Sequence, residues 1–248
     1  MLRRTFISQF STYSCLKKEV ATNIKGKKKT AQDWIKRQIS DPYIKSTRYH
    51  NFRCRSAFKL IQIDEKYGIL QPGHVVIDCG AAPGGWCQVA AVRTNSNQKQ
   101  ASLPVGKVIG VDLIRPAPID GVTFLAPCDF SNPKTQEKII EILNGDKADV
   151  VLSDMTPNVS GVNECDHDQL VDLLIIFIRF AVMTTKINGA CLLKVRDGKR
   201  SPELENYLRK FYQIVKVVKP DASRQDSSEF YLLARDFKGI KMNKLDPT

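Results

Sequence analysis

A glycine-rich loop follows an apolar run in IDCGAAPGGWCQVAA, residues 77–91, and a proline stands inside the loop. In an open parallel sheet, ligands bind at loops that follow the carboxyl ends of the strands. Such a loop holds either a dinucleotide, whose pyrophosphate docks at a helix N-terminus, or a nucleoside cofactor without phosphates, such as S-adenosylmethionine. The GxGxxG pattern of dinucleotide sites is missing, and Pro83 lacks an N–H that could bind a phosphate. The loop therefore favours the nucleoside cofactor.

Two aspartates stand at the ends of the next two predicted strands. Asp112, in VIGVDL, is placed to accept hydrogen bonds from both ribose hydroxyls of either class of cofactor. Asp129, in APCDF, is placed to accept a hydrogen bond from an exocyclic adenine amine. Taken singly, each acid is more typical of a strand-end cap. Both together, after the glycine loop, favour a bound adenosine.

Seven short apolar runs predict the strands of a sheet: HVVIDCG, KVIGVDL, TFLAPCD, ADVVLSDM, GACLLKV, IVKVVKP and EFYLLARD. The first five are continuously apolar, which is typical of parallel strands buried on both faces. Helices are predicted in SAFKLIQIDEKYG and near residues 84–93, 133–144, 166–187 and 201–212. No helix separates the last two runs, so we expect them to pair antiparallel at one edge. The predicted fold is α/β, a doubly wound, mostly parallel seven-stranded sheet with an antiparallel edge strand.

The positive charge is concentrated at the amino end of the chain. The formal net charge is +12, and residues 1–60 hold 15 of the 38 Lys and Arg but only 3 of the 26 Asp and Glu. Residues 1–20 mix Arg, Ser, Thr and bulky apolar side chains, which is typical of a mitochondrial transit peptide. Residues 21–50 interleave basic and aromatic side chains, as RNA-binding arms do, although a solvated tail has a similar composition. Residues 51–240 form the predicted globular domain.

Neither a metal site nor a membrane span is indicated. The seven cysteines form no CxxC pair, and the sequence has only three histidines. The longest apolar run, residues 173–183, contains Arg179 and is too short to cross a bilayer. It is typical of a buried helix.

Five motifs, in order over roughly residues 50–236, resemble those of the FtsJ/RrmJ-type 2'-O-ribose methyltransferases: IDCGAAPGGWCQVAA, LSDMTPNVSG, DHDQL, LLKVRDG and SRQDSSEFYLLA. The resemblance implies a Rossmann-like class I methyltransferase fold, S-adenosylmethionine as cofactor and methylation of an RNA ribose. With its basic amino end, the chain looks most similar to the mitochondrial branch, which acts on large-subunit rRNA. We therefore expect a monomer of the mitochondrial matrix whose partner is that rRNA or the assembling large subunit. The expected target is a uridine in the A loop of the peptidyl transferase centre.

The same resemblance carries over four charged residues: Lys59, Asp154, Lys194 and Glu229. Methyl transfer to a hydroxyl needs a base, and we expect Lys194 to be that base because a second lysine nearby disfavours its charged form. Lys59 is expected to supply that charge and to bind the ribose or phosphate. Asp154 would orient Lys194, and Glu229 would hold Lys59. Taken singly, such residues are also typical of strand-end and edge-strand charges.

The resemblance further implies which residues contact the cofactor: Gly84, Gly85, Trp86, Asp112, Asp129 and Asp154. Thr156 stands where the family more commonly has Ala. The stretch SDMTPN also lacks the aromatic ring that stacks a target base in amino-methylating enzymes, which favours a sugar hydroxyl as acceptor.

RNA contacts outside the arm are expected from Arg196, Lys199, Arg200 and Arg224, although each is also typical of a solvated surface charge. Three other functions stay open. The first is a cap or transfer-RNA 2'-O-methyltransferase. The second is an RNA-binding assembly factor with little dependence on catalysis. The third is a nucleotide-dependent oxidoreductase, which Pro83 and the antiparallel ending disfavour.

Overall fold

The computed structural model describes residues 28–32, 41–156, 163–224 and 227–240, and the side chains of all of these except residues 163–166. The chain divides into two compact units, Met1–Asn51 and Phe52–Thr248. In the first unit, helix α1 spans Pro42–His50 and begins at Asp41, whose side chain accepts a hydrogen bond from the Tyr43 N–H. The predicted transit peptide, residues 1–20, and half of the predicted arm, residues 21–50, lie outside the described residues.

The second unit is built on a seven-stranded sheet with helices between the strands. Its elements are α2 (Ala57–Tyr67), β1 (Val75–Cys79), α3 (Gly85–Arg93), β2 (Lys107–Val111), β3 (Val122–Leu125), α4 (Pro133–Leu143), β4 (Ala148–Ser153), α5 (Asn163–Thr184), β5 (Thr185–Arg196), α6 (Ser201–Phe211), β6 (Tyr212–Val218) and β7 (Glu229–Phe237). Each predicted strand and helix is confirmed by one of these elements.

The strand order is β3-β2-β1-β4-β5-β7-β6. Strands β1 to β5 pair in parallel. Strand β7 runs antiparallel to both of its neighbours, β5 and β6. The expected antiparallel pair at one edge is therefore confirmed, but the reversed strand β7 lies one position inside the edge, which β6 occupies.

The core forms where the middle strands are covered on both faces. All five residues of β1 are buried, and successive side chains of a strand point to opposite faces, so both faces of β1 are covered. The apolar run that was predicted to be a buried helix lies in α5, where Leu174, Phe177 and Ile178 are fully buried. In the described part of the chain, no helix is both long and apolar enough to cross a bilayer.

Local signals fix where these elements begin and end. Helix α2 ends at Gly68, whose φ of 62° is the left-handed conformation that glycine adopts without strain. Helix α4 begins at Asn132, whose side chain accepts a hydrogen bond from the Lys134 N–H, and Pro133 occupies the first turn. Because β1 to β4 pair in parallel, their carboxyl ends lie along one edge of the sheet.

Candidate active site

A cavity of about 520 Å³ opens at the carboxyl ends of the parallel strands. Its walls come from the loops after β1, β2, β3 and β4 and from one residue of α5: Gly80, Ala82, Val111, Asp112, Leu113, Ile114, Cys128, Asp129, Phe130, Asp154, Met155, Thr156 and Leu173. The walls combine apolar side chains with the carboxylates of Asp112, Asp129 and Asp154 and the hydroxyl of Thr156. Such a mixture suits a nucleoside, which has an apolar ring and several hydrogen-bond donors.

Two of the predicted cofactor ligands, Asp112 and Asp129, line this cavity and also cap the local backbone. Asp112 accepts hydrogen bonds from the N–H groups of Ala82 and Ile114, at 2.8 Å each. Asp129 accepts from the N–H and the hydroxyl of Ser131, at 2.8 Å each. Each acid therefore caps the backbone near a strand end, which is the alternative role that the sequence indicated for it. Their contact with a cofactor stays a prediction.

The glycine loop closes against the end of β4. Gly80 has a φ of +85°, and a Cβ on it would lie 2.9 Å from the backbone nitrogen of Met155. Gly84, which precedes α3, has a φ of +113°. The loop therefore reaches this conformation, and this proximity to β4, because these positions carry no side chain.

The three consecutive residues Gly84, Gly85 and Trp86 do not contribute to the cavity walls described above. Trp86 is 2% exposed, and its indole N–H donates a 2.9 Å hydrogen bond to the carbonyl of Ser56. Its ring lies 5.7 Å from that of Tyr231. The Trp86 side chain therefore packs in the core, and the cofactor contact of this segment stays a prediction.

The four charged residues form two ion pairs next to the cavity. The Lys194 ammonium lies 3.0 Å from Asp154 Oδ1 and donates a 2.6 Å hydrogen bond to the Asp154 carbonyl. The Lys59 ammonium is paired with Glu229 Oε1. All four side chains are between 10% and 22% exposed, so both pairs are largely removed from water. Residues from α2, β5, β7 and the end of β4 thus meet at one place.

Two residues that the sequence analysis missed tie this cluster together. The Tyr231 hydroxyl donates to Asp154 Oδ1 at 3.1 Å, and the Ser56 hydroxyl donates to Asp154 Oδ2 at 2.9 Å. Burial, and then the charges of Asp154 and Glu229, raise the pKa of Tyr231 well above its ordinary value, so Tyr231 stays a hydrogen-bond donor. Sequence spacing could have indicated both, since Tyr231 lies two positions after Glu229 in β7, and Ser56 directly precedes α2, three positions before Lys59.

A third missed residue, Asp78, lies in β1 just before the glycine loop. It is fully buried, and Oδ2 accepts a hydrogen bond from the Cys87 thiol at 3.0 Å. Oδ1 is buried and has no hydrogen-bond partner in the described part of the chain. Burial raises its pKa to about 7, with smaller contributions from the charges of Asp154 and Asp112. The sequence feature that could have identified Asp78 is the presence of an acid inside the apolar run VVIDC.

The basic residues that were expected to contact RNA differ in their surroundings. Arg200 binds three carboxylates: Asp168, Asp172 and Glu203. Arg196 and Lys199 are exposed. Arg224 lines a cavity of about 200 Å³ together with Arg55, Lys59 and Glu229. No group of three or more His, Cys, Asp or Glu that could hold a metal ion occurs among the residues that the structure describes.

The strand order and the reversed strand β7 are those of a Rossmann-like methyltransferase fold. The model of the FtsJ-like methyltransferase family matches residues 52–237, and the chain belongs to this family.

Named relatives agree with this assignment. The chain is 45% identical over 222 residues to "rRNA methyltransferase 2, mitochondrial" of Drosophila melanogaster, covering 90% of this chain and 89% of that protein. It is 42% identical over 214 residues to "Ribosomal RNA large subunit methyltransferase E" of Mesorhizobium japonicum, covering 86% and 78%. A crystal structure of a ribosomal RNA methyltransferase from Plasmodium falciparum superposes with a TM-score of 0.66 at 30% identity, covering 76% of this chain and all of that one.

Proposed function

We propose that the protein transfers a methyl group from S-adenosylmethionine to the 2'-hydroxyl of a uridine in the A loop of mitochondrial large-subunit rRNA. The observation that carries this proposal is the meeting of two Lys–carboxylate pairs beside a nucleoside-sized cavity. Relatives over most of the chain are named as ribosomal RNA methyltransferases, one of the large subunit and one mitochondrial. These names, together with the basic amino end, support rRNA as the substrate and the mitochondrial matrix as the location.

The cavity fits the proposed cofactor. Asp112 and Asp129 lie at successive strand ends, where they can accept hydrogen bonds from ribose hydroxyls and an adenine amine. Phe130 and Leu113 supply apolar surface for the adenine ring. Asp154, which also lines the cavity, lies next to Lys194. The cofactor supplies an electrophilic methyl group. The proposed contacts are with the ribose and the adenine, and none of them requires a pyrophosphate.

Lys194 is proposed to take the proton from the 2'-hydroxyl. For this it must reach its neutral form, and Asp154, which pairs with its ammonium, opposes that. Asp154 also accepts hydrogen bonds from the Tyr231 and Ser56 hydroxyls, and these reduce the negative charge that it presents to Lys194. Asp154 is therefore held by two hydroxyls and orients the Lys194 ammonium.

Lys59 is proposed to bind the target ribose or its phosphate. Its ammonium is held by Glu229 and lies 5.8 Å from the centre of the Tyr231 ring, which also contacts Asp154. Lys59 and Glu229 line the cavity of about 200 Å³, which is also lined by the cationic side chains of Arg55 and Arg224. This positive environment suits a phosphodiester next to the reacting sugar.

The proposal is tested by incubating the protein with labelled S-adenosylmethionine and mitochondrial large-subunit rRNA or ribosomal particles, and by mapping the label. We expect label on one 2'-hydroxyl and, for Lys194→Ala, a rate at least about 100-fold lower, since general base catalysis contributes about 10²–10⁴-fold. Lys186→Ala is the matched control. It removes a Lys–Asp pair of 2.9 Å with Asp149, made from the same strand β5.

Normal activity of Lys194→Ala, with Lys186→Ala also active, would contradict the role of Lys194. Cofactor binding without label on RNA or particles would instead favour an assembly factor. Label on a messenger cap or a transfer RNA would show the same chemistry on another substrate.

A further inference from the structure

Arg53, which lies just before helix α2, binds two loops beside the cofactor cavity at once. Its Nη1 donates hydrogen bonds to the Pro83 carbonyl at 3.1 Å and to the Ala117 carbonyl at 2.6 Å. Its Nη2 donates to the Pro118 carbonyl at 2.8 Å. Pro83 belongs to the glycine loop, and the other two belong to the β2–β3 loop, residues 112–121. One guanidinium therefore joins two loops that α3 and β2 separate in the chain.

The chemistry of arginine suits this arrangement. A guanidinium presents five N–H donors from three nitrogens in a planar fork, so Arg53 can bind carbonyl groups of two different loops. A lysine ammonium offers its donors from a single nitrogen and does not form such a fork. The function of Arg53 in this place therefore depends on its shape as well as on its charge.

Arg53 is itself fixed against the element that follows the glycine loop. Its backbone N–H donates a 2.9 Å hydrogen bond to Gln88 Oε1, and Gln88 lies in α3. A Cβ on Gly84 would lie 2.8 Å from Arg53 Nη1 and 3.2 Å from Arg53 Cδ. The arginine side chain therefore lies directly against the glycine loop, because Gly84 carries no side chain.

The same two loops are also joined at the cofactor cavity. Asp112 Oδ2 accepts a 2.8 Å hydrogen bond from the N–H of Ala82, the residue before Pro83. Asp112 and Ala82 both line the cavity, whereas Arg53 is not among the residues that line it. Arg53 thus holds the two loops together from outside the cavity, one residue away from the contact made inside it.

We infer that Arg53 is a positioning residue that holds the glycine loop and the β2–β3 loop at the separation that S-adenosylmethionine needs. Without this link, cofactor binding would have to order the two loops, and this cost lowers affinity. The four charged residues proposed for catalysis come from other elements, so the effect falls on the cofactor rather than on RNA. This inference rests on the proposed function, since it assumes that the cavity binds S-adenosylmethionine.

The test measures S-adenosylmethionine binding by calorimetry for the full chain and three variants. Arg53→Ala is expected to weaken binding about tenfold, the size of one hydrogen bond from a charged donor. Arg53→Lys keeps the charge but not the fork, and it is expected to lose most of the same factor. Arg115→Ala is the control, because it removes an exposed arginine from the same β2–β3 loop, and it is expected to bind as the wild type does.

Kinetics with a mitochondrial large-subunit rRNA transcript separate positioning from a loss of folded protein. In Arg53→Ala we expect KM for the cofactor to rise, while kcat at saturating cofactor and the salt dependence of RNA binding stay near those of the wild type. A variant that only folded less well would instead show fewer binding sites of unchanged affinity, and this result would overturn the positioning role.

The remaining outcomes are also decisive. Full cofactor affinity in Arg53→Lys would show that charge without the fork suffices, and would overturn the link between the loops. Wild-type cofactor affinity in Arg53→Ala, with a salt slope lower by about one, would make Arg53 an RNA contact instead. Wild-type protein that binds no S-adenosylmethionine would overturn the proposed function itself. An active wild type whose Arg53 variants all behave as Arg115→Ala does would overturn the positioning role alone.

Discussion

The buried carboxyl of Asp78 makes the stability of the protein depend on pH. It is fully buried beneath the glycine loop, and burial raises its pKa from 3.8 to about 7. In the folded protein Asp78 therefore stays protonated at pH values where the unfolded chain has released the proton. Below about pH 4 the group has no unfavourable effect, and stability is lost as the pH rises toward and through 7.

The size of this effect follows from the pKa difference. Each unit corresponds to about 1.4 kcal/mol, so the full penalty above pH 7 approaches about 4 kcal/mol. Between about pH 5.5 and pH 8, linkage gives a loss of about 2 kcal/mol in the free energy of unfolding from Asp78 alone. Asp78→Asn keeps the shape and can still accept the Cys87 hydrogen bond, but it cannot ionise.

Urea unfolding at about pH 5.5 and about pH 8, followed by the fluorescence of buried Trp86, measures the difference. Asp78→Asn should lose about 2 kcal/mol less than the wild type over this range. Asp120→Asn, at an exposed position, controls for the change in net charge. If Asp78→Asn and Asp120→Asn show the same pH dependence as the wild type, Asp78 ionises in the fold without penalty, and the reasoning is refuted.

Two further predictions concern the site itself. Tyr231→Phe removes a hydrogen bond to the charged Asp154, so we expect methyl transfer to slow with little change in cofactor affinity, at a stability loss of about 1.5–3 kcal/mol. Single-turnover rates of Tyr231→Phe are compared with those of the control Tyr207→Phe, on helix α6. Wild-type rates in both variants would contradict this prediction. Gly80→Ala places a Cβ 2.9 Å from the Met155 nitrogen at a φ of +85°, and we expect lower thermal stability and weaker cofactor binding by calorimetry. Wild-type values for both would show that the loop can move away from β4.

The elements of this fold could be read from the sequence because each is specified by short-range patterns. A run such as VVIDC is apolar at every position because β1 is covered on both faces, and Gly68 ends α2 because its backbone is left-handed. The reversal of the last strand also followed from a loop too short for a helix. The position of β7 between β5 and β6 did not, since pairing depends on contacts between distant segments.

The candidate site shows the same division. Motif resemblance named Lys59, Asp154, Lys194 and Glu229, and the structure brings them together. Pairing Lys59 with Glu229 joins residues 170 positions apart, and the Tyr231 hydrogen bond to Asp154 spans 77 positions. The sequence alone determined which side chains were available at the strand ends. Only the tertiary structure decided that the Tyr231 and Ser56 hydroxyls reach Asp154, that Trp86 packs inward and that Arg200 is already neutralised, because these depend on distances set by packing across the sheet.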